Sequence, residues 1–197
     1  MIQDKYYKIM KQFLGDYSKE IYGREIIQKV SISPKNIALT LEELEKIGVL
    51  SSRTAGNMRY YSINRKNPLA RKYILLTEIE NSVEFLRKHA KINLIFDKMI
   101  NKFDNSEIIC IFGSYAKGIE KKDSDLDIFA VGNLNDEEIK KIGKDYNIEI
   151  NIKKGKRSDF ANLLKNKNPL MNEIIENHIL IFGYEKFVNE VIKQRWQ

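Results

Sequence analysis

Asp125 and Asp127 flank Leu126 in the run SDLDIFAVG, and Gly113-Ser114 stands upstream, at the end of the apolar run EIICIF, with ten residues between Ser114 and Asp125. Residues two apart in a strand share a face, so both carboxylates point one way while Leu126 and Ile128 point into a core. Adjacent carboxylates repel unless they sit in water or a cation lies between them. An oxygen pair of this kind suits Mg²⁺, which binds through one or two carboxylates together with substrate phosphates. A glycine at a strand end lets the backbone approach a phosphate, and the serine hydroxyl and free N–H groups can hold its oxygens. Phosphate on one side and metal on the other is an arrangement for phosphoryl or nucleotidyl transfer, in which metal neutralises charge and orients the attacking oxygen. The alternative for the pair is a charged strand end without a ligand.

A third carboxylate usually completes such a site as metal ligand or general base. The run YNIEINIKKG supplies Glu149, which alternates with Ile148 and Ile150 and so faces away from the core as the aspartates do. No other carboxylate falls on an expected strand downstream.

Gly113-Ser114 followed by Asp125-Leu126-Asp127 at this spacing resembles the signature of the DNA polymerase β-like nucleotidyltransferase superfamily. More narrowly, the chain looks like the minimal nucleotidyltransferases related to kanamycin nucleotidyltransferase, over about residues 80–195, including GSYAKG, SDLDI and the tail KNPLMNEIIENHILIFGYEKFV. It is not a Walker A loop, which needs Gly-Lys-Ser/Thr. The resemblance implies transfer of a nucleoside monophosphate, often AMP from ATP, to a hydroxyl on a protein or small molecule. It implies that Asp125 and Asp127 hold two Mg²⁺ ions, with Glu149 as a third metal ligand or as an aid at the acceptor hydroxyl. Gly113 and Ser114 would hold the triphosphate, with Lys117 as a further phosphate contact. Many members carry aspartate where Glu149 stands, and catalysis tolerates a displaced carboxylate poorly. ATP binding without fast turnover is therefore an alternative. Minimal nucleotidyltransferases are often paired with small helical toxin proteins that they modify or bind, so an antitoxin-like role is another.

Ile79, Val83, Leu86, Ala90, Leu94 and Ile95 extend one long amphipathic pattern to about Phe103. EIICIF, LDIFAVG and NIEINIK read as strands, with a helix from Asn135 to Gly143 between the second and third. Helices are expected over Ser158–Leu164, Pro169–Asn177 and Tyr184–Lys193, with a short strand, ILIF, ended by Gly183. Alternating helices and strands predict an α/β or α+β domain with a small mixed sheet flanked by helices.

The chain carries a net charge of +7, and its distribution is uneven. Residues 1–77 hold 14 Lys+Arg against 7 Asp+Glu, whereas residues 78–197 hold 20 of each. Such asymmetry suits a segment that meets a polyanion, although solubilising charge on exposed helix faces gives the same count. In this basic part Tyr6, Ile9, Met10 and Phe13 space a first helix, and Arg24–Val30 is a second. SPKNIALTLEELEKIG is a third, with Ser33 as N-cap, Pro34 in the first turn, Gly48 as terminator and an apolar stripe of Ile37, Leu41, Leu44 and Ile47. VLSSR and MRYYSIN are strands around the turn TAGN.

Helix, helix, capped helix and basic hairpin over residues 5–64 resemble the winged helix-turn-helix domain. The resemblance implies that Lys35, Asn36 and Thr40 face duplex DNA from the third helix, with Arg53 and Arg59 on the wing. Glu42, Glu43 and Glu45 depart from a strong DNA binder, since each like charge near phosphate is unfavourable. Winged helices also serve as protein-contact or dimerisation modules, which makes a homodimer one expected assembly. Pro68 in RKNP marks the linker, giving a winged helix domain at 1–67 and a nucleotidyltransferase domain at 68–197.

One cysteine, Cys110, excludes an internal disulfide framework and lies in an apolar run, where a buried role is expected. No apolar run approaches the roughly 20 residues of a membrane span. The N-terminal Met-Ile-Gln-Asp-Lys does not lead into a signal-peptide core, so a cytoplasmic protein is expected. His89, flanked by charge, is expected to be exposed; His178, ahead of an apolar strand, is expected to be structural.

Overall fold

Local sequence signals account for most of the first elements. The computed structural model describes residues 2–103, 106–166 and 168–195, and it divides into two compact units, Met1–Glu80 and Asn81–Gln197. In the first unit α1 (Asp4–Met10) tightens into a 3₁₀ turn over Lys11–Phe13, which buries Ile9 and Phe13. A two-residue strand, β1 (Ile21–Tyr22), then leads into α2 (Gly23–Lys29). Helix α3 (Pro34–Lys46) starts as expected, with the Ser33 hydroxyl accepting from the Asn36 N–H at 3.4 Å and Pro34 at the first position, where its missing N–H costs nothing. Strands β2 (Leu50–Ala55) and β3 (Met58–Ile63) form an antiparallel hairpin that closes over Gly56-Asn57. The sheet order is β1-β3-β2, so the short strand that the sequence reading lacks sits on the far edge of the hairpin.

Two details of α3 differ from expectation. Its buried residues are Ile37, Thr40, Leu41 and Leu44, whereas Ile47 is the C-cap and is 40% exposed. Positions 37, 40, 41 and 44 follow the i, i+3, i+4, i+7 stripe. Thr40 belongs to it despite its hydroxyl because Oγ1 donates to the Asn36 carbonyl at 2.6 Å. That local bond removes the cost of burying the polar group.

Helix α4 (Pro68–Lys88) begins at the expected linker, but the two units part inside it, after Glu80. The early turns of α4 belong to the first unit's core: Ala70 and Ile74 are buried, and the Tyr17 hydroxyl donates to Glu78 Oε1 at 2.7 Å in a buried pair.

The long amphipathic pattern that follows is not one helix. It breaks at His89, whose φ of −116° and ψ of 66° leave the helical region, and resumes as α5 (Ala90–Met99) and a 3₁₀ turn at Ile100–Lys102. Beyond it come β4 (Ser106–Phe112), α6 (Gly113–Lys117), β5 (Leu126–Gly132), α7 (Asp136–Asp145), β6 (Ile150–Gly155), α8 (Arg157–Lys165), α9 (Pro169–Glu176), β7 (Ile179–Phe182) and α10 (Tyr184–Arg195). The sheet order is β6-β5-β4-β7. β5 pairs parallel to β6, with α7 in the connection, while β4 runs antiparallel to both β5 and β7. This is the small mixed sheet that the sequence predicts.

Alternation divides the residues of the sheet between its two faces. Ile109, Ile111, Leu126, Ile128, Ala130 and Ile150 pack with Ile92, Ile95, Phe96 and Met99 of α5 and Ile139 of α7. On the other face the Phe129 ring lies 5.9 Å from Phe160 of α8, which lies 6.0 Å from Phe187 of α10. Cys110 is fully buried, as its apolar setting predicts. His178 is buried against Phe187, its Nδ1 2.8 Å from the Ile175 carbonyl, in agreement with a structural role. His89 is not the exposed residue expected. Its ring lies 4.3 Å from that of Phe85 and 5.8 Å from that of Tyr115, and its Nε2 is 3.7 Å from Glu120 Oε1. Among the described residues no helix is long and apolar enough to cross a membrane.

Candidate functional site

Leu126 and Ile128 anchor β5 in the core, which forces Asp127, and Asp125 just ahead of the strand, to its opposite face. The strand's first turn of register pairs Asp127 with Phe112, the last residue of β4, so the β4–α6 junction sits directly beside the carboxylates. Gly113 occupies that junction with φ +70°. A Cβ built at Gly113 would overlap Asp127 Oδ2. The glycine is therefore required twice, for its left-handed backbone and for the close approach of a carboxylate. Ser114 follows in the first turn of α6, half-buried, and its carbonyl accepts from the Ile119 N–H at 3.1 Å, which folds the loop after α6 back on itself.

The carboxylates converge. Asn151 Nδ2 donates to Asp125 Oδ2 at 3.2 Å and to Asp127 Oδ1 at 3.4 Å, so two acceptors from successive outward positions reach one donor atom. Parallel pairing causes this: β5 and β6 run with Asp127 opposite Asn151 and Leu126 opposite Ile150. Burial raises the Asp127 carboxyl above its ordinary value, donation by Asn151 opposes the shift, and the nearby charges of Asp125 and Glu173 add to it. Tyr115 is likewise raised, by burial first and then by the charges of Glu120 and Asp125.

Glu149 does not complete the set. It lies one residue ahead of β6, is exposed, and lines a cavity of about 550 Å³ with Lys140, Lys144, Asn147, Ile148 and Ile150. Its backbone carbonyl, accepting from the Leu126 N–H at 2.8 Å, is what it gives to β5. Among the described residues no three His, Cys, Asp or Glu side chains gather closely enough to hold a metal ion. The side chain that touches both aspartates is the amide of Asn151, one outward position further along the same strand. Asn151 alternates with Ile150 and Ile152 just as Glu149 does with Ile148 and Ile150. Parity alone selects the face; only register selects the residue.

Lys117 is exposed, but its Nζ pairs with Glu173 Oε1 of α9 at 2.6 Å. The charges of Glu173 and Lys153 also act on Asp127, and the sequence reading does not single out Glu173. Glu173 comes from a helix far along the chain, and no local pattern marks it.

The donor set fits one hard cation. Two carboxylate oxygens aimed at a single point, with an amide able to turn its own oxygen inward, match the ligands that Mg²⁺ accepts. It does not fit a pair of ions bridged by three carboxylates, so the expectation of two Mg²⁺ is not supported by these side chains.

In the first unit, Lys35 and Asn36 are exposed on the first turn of α3, as expected of a contact surface. Thr40 is not: it is 1% exposed and bonded to the Asn36 carbonyl. The wing arginines are held by glutamates of the same unit. Arg53 Nε donates to both Glu20 carboxylate oxygens, at 2.8 and 2.9 Å, and lies over the Tyr60 ring. Arg59 pairs with Glu45 and donates to the Ser52 hydroxyl at 3.0 Å.

Among curated proteins none matches the chain significantly. A solved structure described as the crystal structure of a toxin-antitoxin with AMP-PNP aligns with 53% of this chain and 82% of its own, at 18% identity and a TM-score of 0.38. A likeness that slight carries no argument here. Residues 91–187, just under half of the chain, match the family model described as Polymerase beta, Nucleotidyltransferase, and they contain Gly113, Ser114, Asp125, Asp127 and Asn151. In these residues the chain is similar to a nucleotidyltransferase domain.

Proposed function

We propose that the second unit is a nucleotidyltransferase that binds ATP with a divalent cation and moves AMP to a hydroxyl of a protein or small molecule. The observation that carries this reading is the convergence of Asp125 and Asp127 on one point beside Gly113-Ser114, at 3.2 and 3.4 Å from a shared donor. Asp125 and Asp127 would hold the cation. When bound, Mg²⁺ supplies charge neutralisation at the phosphates and orientation of the attacking oxygen. Gly113 and Ser114 would face the triphosphate. Lys117 would reach it on exchanging Glu173 for a phosphate, since both partners are acceptors of the same kind.

Asn151 favours a second reading, in which the unit binds nucleotide as a sensor or antitoxin-like partner without turning it over. An amide cannot take a proton from a hydroxyl, and Asn151 is the side chain that touches both aspartates. For the first unit a winged helix is the proposal, supported by α2 and α3 followed by the β2–β3 hairpin. DNA binding there would need Arg53 and Arg59 to leave Glu20 and Glu45. Absence of any labelled-duplex retardation by the full chain at low salt would rule it out.

Calorimetric titration of ATP with Mg²⁺, paired with an assay of pyrophosphate release, separates the two readings of the site. Wild type should bind, and Asp125→Asn and Asp127→Asn should each weaken binding at least about tenfold with the fold retained. Binding without pyrophosphate release would select the sensor. Wild-type affinity in both variants would remove the site assignment.

A further inference from the structure

A carboxylate pair carries two negative charges, and the structure places one neutral group between them. Asn151 Nδ2 is 3.2 Å from Asp125 Oδ2 and 3.4 Å from Asp127 Oδ1, so its two N–H bonds serve two acceptors. The orientation of the amide follows from chemistry: ionised carboxylates accept only, and the amide nitrogen is the only donor that Asn151's side chain owns. The same position on a strand could carry a third carboxylate and does not.

We propose that Asn151 sets the cation capacity of this site: its amide nitrogen fills the cation's place between Asp125 and Asp127 when no cation is bound, and its amide oxygen is a neutral third ligand when one is. The proposal rests on the nucleotidyltransferase reading in taking the cation as divalent. Rotation about the Cβ–Cγ bond exchanges nitrogen for oxygen with no movement of the backbone, because the two ends of an amide have nearly the same shape. Donor and cation exclude each other, since an N–H cannot face a positive ion. Entry of the cation therefore ends two hydrogen bonds to charged groups, and affinity for the free ion is lower than the aspartates alone would give.

Charge fixes the number of ions. Asp125, Asp127 and a neutral amide present −2, which one divalent ion neutralises. A second would have to be held by the phosphates of a nucleotide rather than by the protein. A third carboxylate at residue 151 would present −3 and would remove the competing donor at the same time. It would also leave three carboxylates repelling one another in the cation-free protein.

Manganese titration of the full chain, followed by electron paramagnetic resonance without nucleotide, tests this. Wild type should bind one Mn²⁺ per chain. Asn151→Asp should bind Mn²⁺ at least about tenfold more tightly, as expected for a charge added within a few ångströms. The variant should also melt below wild type without Mn²⁺ and regain the difference with it, a crossing that a merely structural asparagine would not produce. A measurement on wild type keeps the idea testable if the variant does not fold. The side-chain amide signals of Asn151 in a nitrogen-15 spectrum should shift on adding Mg²⁺. If wild type binds Mn²⁺ but Asn151→Asp binds it no more tightly, or the amide signals stay still while Mg²⁺ binds, the proposal fails alone. If wild type binds no Mn²⁺ with or without ATP, the nucleotidyltransferase reading falls and takes this proposal with it.

Discussion

Gly113 shows how closely single residues determine this site. Its φ of +70° is one that residues with a Cβ seldom adopt, and the space a Cβ would fill belongs to Asp127 Oδ2. Gly113→Ala should therefore destabilise the second unit by about 1–3 kcal/mol, the usual range for a strained backbone position. It should also push the Asp127 carboxylate off the point where it meets Asp125, with cation affinity falling at least about tenfold. Thermal unfolding and Mn²⁺ titration of the variant read the two effects separately. Cation affinity equal to wild type would show that the glycine serves the backbone turn and not the carboxylate. Asn151 is the complementary case. Gly113 makes room for a charge, and Asn151 donates to both charges.

The elements bring these residues together through register more than through propensity. Helix α9 contributes Glu173, which holds Lys117 at 2.6 Å and acts on Asp127 through its charge. Both side chains are about a third or more exposed, so the pair adds little stability, of the order of 0–1 kcal/mol. Its effect on binding should be larger than its effect on folding. Glu173→Gln frees Lys117 and removes a negative charge near the proposed nucleotide site, so ATP affinity should rise a fewfold, while Lys117→Ala lowers it; calorimetry on both variants checks the pair. A Glu173→Gln protein that binds ATP more weakly would mean that α9 positions the site and does not restrain it. Strands β4, β5 and β7 were legible in the sequence because apolar runs end at glycine or charge. The face of Asp125 and Asp127 was legible because alternation fixes it. What was not legible came from pairing. Asn151 rather than Glu149 meets Asp127 because the parallel register sets Asp127 opposite Asn151, and alternation alone does not distinguish IEI from INI. The break at His89 was hidden for a similar reason: the apolar spacing runs on through it, and the residue that separates α4 from α5 is held by Phe85, Tyr115 and Glu120 from three different places. Thr40 was misread by residue type although its spacing marked it as buried.

At the scale of the molecule, charge and burial are distributed differently in the two units. Most of the basic excess lies in the first unit, yet Lys5, Arg53 and Arg59 are paired with Glu43, Glu20 and Glu45 of the same unit, so these three cations meet a polyanion only by leaving those partners. The first unit also buries a pair with a distinct pH signature. The Tyr17 hydroxyl donates to Glu78 Oε1 at 2.7 Å, and both residues are buried. Burial pushes the Tyr17 phenol well above its ordinary value of 10.0, and the Glu78 charge and hydrogen bond push it further. The unfolded chain loses the phenol proton near that ordinary value, whereas the folded unit keeps it. Below pH 10.0 the contribution of the pair to stability is fully present; above it the unfolded state binds fewer protons than the folded one, and stability falls as pH rises toward the folded value. Tyr17→Phe should cost about 1–3 kcal/mol at neutral pH, because Glu78 Oε1 loses a buried donor. It should also flatten the loss of stability above pH 10.0. Urea unfolding of the full chain at neutral pH and at several alkaline pH values measures both, with Mn²⁺ binding as an independent report on the second unit. If Tyr17→Phe loses stability with alkali as steeply as wild type, the alkaline transition belongs to another group. If its cation binding changes as well, the effect of Tyr17 is not confined to the first unit.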